Sequence, residues 1–122
     1  RQRLESQTLT FLPGQVNIPG EGLSKLETIK EILVRMDETA GNLGLQSSVR
    51  IAGYSSPDGS DEMNTRLSEI RARQVLMVLQ SLSLRAISLV AVGRGVDLSA
   101  QDAGAIGQGM TNPRRVSFEV ER

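Results

Sequence analysis

The chain has 122 residues, of which 39% are hydrophobic and 23% charged, with a formal net charge of zero. This size and composition suit one globular domain. Balanced charge, two Phe, one Tyr and no Trp provide neither the basic surface nor the stacking platform of a nucleic-acid-binding protein. Because Cys and His are absent, thiolate and imidazole metal sites and imidazole acid–base catalysis are excluded.

The first predicted elements are a short strand and a long helix. Residues 1–7 are polar and are expected to be the end of a linker, so that one domain would cover residues 8–122. Strand-forming residues occupy 8–12, and Pro13-Gly14 ends them. Apolar residues then recur at spacings of three and four from about 22 to 39, which predicts an amphipathic helix.

The middle of the chain predicts a strand, a loop and a second helix. Residues 49–54 alternate apolar and polar side chains, as a strand with one solvated face does. The next six residues, 55–60, are dense in turn formers. A second amphipathic helix is expected from residue 62 or 63 to residue 82.

The remaining elements complete the expected fold. Residues 87–92 predict a strand, and the glycine-rich stretch 93–113 predicts a long surface excursion. Alternation in residues 116–120 predicts the last strand. The order β-α-β-α-β-β indicates an α+β fold in which two helices cover one face of a small mixed sheet.

The second helix carries polar residues in an unexpected direction. At about 100° per residue, Asn64, Ser68 and Arg71 share the direction of its apolar side chains. One interpretation is that the first turns of the helix protrude past the sheet, so that these groups are solvated. The other is that Arg71 points into a polar notch at the edge of the sheet.

In that second interpretation the notch is an anion site. The planar guanidinium of Arg71 offers paired donors to a carboxylate, and free backbone N–H groups near a helix start favour anions. Asn64 would either cap the helix or shape the adjacent loop. The spacing alone does not say which anion is bound.

Residues 51–79 resemble the signature of the OmpA-like domain family. The family helix reads N-x-x-L-S-x-x-R-A-x-x-V-x-x-x-L, and its positions are matched here by Asn64, Leu67, Ser68, Arg71, Ala72, Val75 and Leu79. Residues 11–14 (FLPG), 92–95 (VGRG) and 112–120 (NPRRVSFEV) resemble the family's first strand, its G-x-G turn and its closing strand. The resemblance covers nearly the whole chain in the family's order.

The resemblance implies a non-catalytic periplasmic domain that binds the peptidoglycan stem peptide and anchors an envelope protein to the cell wall. In the family, the helix arginine takes the carboxylate of the diamino acid, and a loop aspartate completes the site. By position the arginine is Arg71, and the loop is Tyr54, Ser55 and Ser56. Ser56 stands where the aspartate belongs and retains only its backbone donor.

Nearby residues leave alternatives open. Asp58 either replaces the missing carboxylate or is the acidic member of a Pro-Asp-Gly turn. Tyr54 stands where the family usually has histidine and is expected to pack on the ligand or hydrogen-bond to it. Arg115 is expected to form a scaffold ion pair, whereas Arg114 is expected to be a solvated strand residue.

Two other functions compete with wall binding. The first is a degenerate OmpA-like scaffold that no longer binds peptidoglycan and associates with envelope proteins. An enzyme is the other, and it is disfavoured because the serines lack a histidine to activate them. The acidic residues Asp58, Asp61 and Glu62 match no ordered calcium loop, so neither a metal nor a cofactor is expected. Since the sequence begins at Arg1 and contains no membrane-length apolar run, any signal or membrane anchor is expected outside it.

Overall fold

A computed structural model describes residues 3–57, 59–96 and 113–121. Asp58 and the glycine-rich residues 97–112 lie outside the described residues, so the predictions made for them stay predictions. Within the described ranges, neither helix combines the length and the apolar character that crossing a bilayer requires.

The described residues form four strands and two α-helices. Their bounds are β1 Thr8–Thr10, α1 Gly20–Asn42, β2 Ser47–Ser55, α2 Asp61–Leu79, β3 Ile87–Val96 and β4 Arg115–Glu121. Short 3-10 turns cover Leu4–Ser6 and Gln80–Leu82. The predicted order of strands and helices is therefore confirmed.

The strands form one mixed sheet in the order β1-β4-β2-β3. β2 and β3 run parallel, whereas β4 lies between β1 and β2 and is antiparallel to both. Apolar residues of one sheet face and of both helices share a single core cluster, which includes Ile29, Leu33, Ile51, Val75, Leu79 and Phe118. This is the predicted α+β arrangement, with both helices contributing to one core.

Two boundaries differ from the sequence prediction. β3 continues to Val96, whereas a surface excursion was expected from residue 93. Gly93 stays in the strand because α2 packs against it: a Cβ there would lie 2.7 Å from the Cα of Glu69. At the other end, Leu4 is only 3% exposed and belongs to the core, so part of the expected linker end packs on the domain.

Gly53 sets the position of α2 on the sheet. It pairs with Gly93 in the register of β2 and β3, and a Cβ on Gly53 would overlap the backbone carbonyl of Ser68. The backbone of α2 therefore rests directly against the end of β2. This close approach carries the polar side chains of α2 into the interior.

Asp37 attaches α1 to the start of β3. Its carboxylate accepts hydrogen bonds from the backbone N–H groups of Arg85, Ala86 and Ile87, at distances of 2.7 to 3.2 Å. Desolvation raises the pKa of Asp37, but these three donors and the charge of Arg85 outweigh it and leave the pKa below its usual value. The carboxylate thus stays ionised at neutral pH and holds the two elements together.

The contact between Gly53 and α2 makes a first prediction. Gly53→Ala should lower the free energy of unfolding by about 3 kcal/mol, because a helix backbone cannot move aside as a flexible side chain can. Denaturant unfolding of the purified chain would measure the loss. Gly41→Ala is the control, since a Cβ there meets nothing within 4 Å and alanine favours a helix. Equal stability of the two variants would contradict the close packing.

Candidate functional site

The polar residues of α2 are buried, not solvated. Asn64, Ser68 and Arg71 all lie in the interior, and Arg71 is 0% exposed. The interpretation that the first turns of the helix protrude into solvent is therefore wrong. The prediction that Arg71 points into an accessible notch is wrong as well, because the surrounding protein covers the guanidinium.

Backbone carbonyl groups surround the Arg71 guanidinium. Its Nε donates to the carbonyl oxygen of Gln15 at 2.8 Å, and Nη1 donates to that of Tyr54 at 3.2 Å. Nη2 donates to the carbonyl oxygen of Leu12 at 3.2 Å, while Cζ lies 5.2 Å from the centre of the Phe11 ring. Among the described residues, no carboxylate oxygen lies within 4.0 Å of this cation.

The surroundings of Arg71 disfavour its positive charge. Burial, together with the nearby charge of Arg114, lowers the pKa of Arg71 below its usual value. A guanidinium nevertheless stays protonated at neutral pH. The site therefore holds a cation that neutral carbonyl dipoles stabilise only in part, and an anion would stabilise it further.

A tight turn at residues 12–15 supplies two of the three carbonyl groups. Gln15 N–H donates to the carbonyl of Leu12 at 3.0 Å, with Pro13 second in the turn and Gly14 third at a φ of 69°. Pro followed by a residue of positive φ is the arrangement of a type II turn. All four residues are exposed, Leu12 to 62%, so the turn is a thin surface layer over the guanidinium.

Other motif residues join α2 to the sheet. Ser55 Oγ donates to the carbonyl of Asn64 at 3.2 Å. Ser68 Oγ accepts from Gly95 N–H at 2.9 Å and donates to the carbonyl of Thr65 at 2.7 Å. Ser55 and Asn64 were predicted as ligand-binding residues, but both are buried.

The cap of α2 is Ser60. Its Oγ accepts from Met63 N–H at 3.1 Å, whereas the sequence made Asn64 a candidate for that role. Asn64 lies inside the first turns and is 4% exposed. The remaining interpretation is that Asn64 shapes the adjacent loop, and its side-chain Oδ1 does face that loop, 4.0 Å from the position of a Cβ on Gly59.

Tyr54 and Arg115 form a stack that the sequence did not predict. The Arg115 guanidinium lies 4.0 Å from the centre of the Tyr54 ring, and Arg115 is 7% exposed. Arg114 precedes β4 and is half-buried, and its Nε donates to the carbonyl of Phe11 at 3.1 Å. The expectation of a solvated Arg114 is therefore wrong. No local sequence signal reveals the stack, because its two members lie on different strands.

The structure thus brings most predicted site residues into one corner. Arg71 touches the carbonyl of Tyr54, Ser55 touches Asn64, and Ser56 follows β2 as a half-buried residue. Asp58 lies outside the described residues. Among the residues that are described, no group of three Asp, Glu, His or Cys side chains could hold a metal ion.

Sequence comparison identifies a family and a relative. The model of the OmpA family matches residues 10–115. Outer membrane protein A of Serratia odorifera is 35% identical over 118 residues, which is 97% of this chain and 44% of that protein. The chain therefore spans less than half the length of this relative.

Solved structures of low sequence identity share the fold. The peptidoglycan-associated lipoprotein of Burkholderia pseudomallei matches with a TM-score of 0.61 and 16% identity, covering 93% of this chain and 89% of that one. The C-terminal domain of Helicobacter pylori MotB matches with a TM-score of 0.62 and 15% identity, covering 95% and 84%.

The carbonyl contacts of Arg71 make a second prediction. Arg71→Met should lower the free energy of unfolding by about 2 kcal/mol, because three hydrogen bonds donated by a charged group are lost. Arg73→Met, which removes an exposed ion pair to Glu69 on the same helix, should change it by less than about 0.5 kcal/mol. Denaturant unfolding measures both, and equal losses would contradict a structural role for Arg71.

Proposed function

Because the chain belongs to the OmpA family, we propose that it is a non-catalytic domain that binds peptidoglycan in the periplasm of a Gram-negative cell. Its role would be to hold an envelope protein to the cell wall, with attachment to the outer or inner membrane made by segments outside this chain. The ligand would be the stem peptide, gripped at its diamino acid.

The positive charge of Arg71, which no described carboxylate balances, carries this proposal. Its guanidinium lies beside the end of β2 with carbonyl acceptors around it and no described carboxylate in range. A cation so placed favours an incoming carboxylate, since an ionised acceptor forms a hydrogen bond roughly twice as strong as a neutral one. The carboxylate of a stem-peptide amino acid has the required charge and the two oxygens that match the guanidinium fork.

The loop after β2 would hold the other end of the diamino acid. Ser55 and Ser56 would contribute backbone donors, and the half-buried ring of Tyr54, fixed by its stack on Arg115, would pack against the ligand. Ser56 lacks the negative charge that would pair with the ligand ammonium. Asp58, in the same loop, would be the alternative carboxylate.

A second function is favoured by one observation. Arg71 is 0% exposed, so the structure as it stands presents no guanidinium to solvent. A domain that retains the fold but not the ligand would act as a scaffold for other envelope proteins. In that case Arg71 would serve only to fix the turn at residues 12–15 against the sheet.

Co-sedimentation with purified peptidoglycan sacculi separates the two functions and is the third prediction. The native chain should pellet with sacculi, and Arg71→Met should weaken binding by roughly tenfold or more, because a desolvated charged partner is lost. Circular dichroism should first establish that the variant is folded. Arg73→Met, an exposed change on the same helix, should bind as the native chain does.

Each alternative outcome has a definite meaning for the proposal. A native chain that stays in the supernatant would reject wall binding and leave the scaffold function. Equal pelleting of native chain and folded Arg71→Met would preserve wall binding but reject Arg71 as the residue that grips the ligand.

Ser56→Asp provides the fourth prediction. A carboxylate at this position should pair with the ligand ammonium and tighten binding to sacculi by roughly tenfold. Ser88→Asp adds the same charge at an exposed position on β3 and should leave binding unchanged. Binding that is unchanged or weaker in Ser56→Asp would mean that the loop meets the ligand in another geometry.

A further inference from the structure

The turn at residues 12–15 occupies the position that a carboxylate would take on Arg71. Its first and last residues, Leu12 and Gln15, present two carbonyl oxygens to Nη2 and Nε of the same guanidinium. Nη2 and Nε lie on one edge of the guanidinium plane, which is an edge that a carboxylate bridges with its two oxygens. The turn therefore mimics a bidentate anion without carrying its charge.

Arg71 also attaches the turn to the domain. Its two hydrogen bonds to Leu12 and Gln15 join the two ends of the turn to α2. The bond from Gln15 N–H to the Leu12 carbonyl lies within the turn itself. Since all four residues of the turn are exposed, the turn itself buries little apolar surface against the domain.

We propose that this turn is a gate: it closes the Arg71 site by presenting its own carbonyl oxygens, and an anion binds by displacing them. The gate rests on the proposed function, because the anion it admits is the stem-peptide carboxylate. The apparent affinity is then the affinity of the open site multiplied by the fraction of molecules in which the turn is open. The gate also selects for anions, since a neutral group gains nothing over the carbonyls it replaces.

Gly14 allows the gate to be tested without touching the site. At its φ of 69°, a Cβ would meet nothing within 4 Å, so Gly14→Ala adds backbone strain but no clash. Opening unfolds the turn and breaks the hydrogen bond from Gln15 N–H to the Leu12 carbonyl, so residue 14 leaves this φ and the strain exists only while the turn is closed. Opening should therefore become roughly tenfold more favourable, by the cost of a left-handed alanine.

Gly44→Ala is a closely matched control. Gly44 has a φ of 68°, and a Cβ added there would meet nothing within 4 Å. It lies after the end of α1 rather than in the turn over Arg71. Any general effect of a strained alanine on stability is thus shared by both variants, and only Gly14→Ala acts on the turn.

The fifth prediction concerns acetate as the probe of the Arg71 site. Sodium acetate is titrated against sodium chloride of equal ionic strength, and the NMR signal of the Arg71 Nε–H group is followed. In Gly14→Ala the signal should shift at roughly tenfold lower acetate concentration than in the native chain, with Gly44→Ala like the native chain. The same three proteins are then compared for sedimentation with sacculi, where Gly14→Ala should bind most tightly.

The two measurements separate the gate from the proposed function. Equal acetate responses in all three proteins, or none in any, would overturn the gate, whatever the sacculi do. The expected acetate responses without sacculus binding would support the gate and reject wall binding. If the native chain binds sacculi but all three proteins respond equally to acetate, the chain binds the wall and the turn is not a gate.

Discussion

The buried cation of Arg71 is the constraint on which this corner of the structure depends. A guanidinium taken out of water must find acceptors, and two backbone segments supply them. The turn at 12–15 provides two carbonyl oxygens, and the end of β2 provides one. These segments and the arginine are brought together because α2 lies directly on Gly53. Glycine at that position, the Pro-Gly turn and the inward arginine are thus parts of one arrangement.

The polar positions of the helix motif follow from the same close packing. A helix whose backbone touches a strand leaves no room for large apolar side chains at its first turns, so the interior there is filled by small polar residues. Ser68 bridges Gly95 and Thr65, and Ser55 reaches the carbonyl of Asn64. Each buried polar side-chain atom among the described residues has a hydrogen-bond partner. The motif residues therefore fix the position of α2 on the sheet, in addition to any role in binding a ligand.

Periodicity predicted the elements and the inward direction of Arg71, because both are local properties of the chain. It did not predict that Arg71 is covered, because the acceptors are backbone carbonyls of residues as distant in sequence as Leu12, and carbonyls carry no side-chain signature. Gly93 was predicted to begin a loop for a related reason: a glycine required by helix packing looks like a glycine required by a turn. The stack of Arg115 on Tyr54 likewise depends on how the strands are arranged in the sheet.

Burial of Arg71 is compatible with ligand binding. This follows from comparing the free energy of the guanidinium in the closed state, bound to carbonyl groups, with its free energy when a carboxylate is bound. Desolvating a cation costs several kcal/mol, and neutral carbonyl groups offset only part of that cost. An arriving carboxylate would recover more, since it restores the charge balance as well as the hydrogen bonds. The closed turn would then be the weaker of two available partners for the guanidinium. In a purely structural role, by contrast, Arg71 would hold the turn at residues 12–15 against the sheet, and an external anion would not displace that turn.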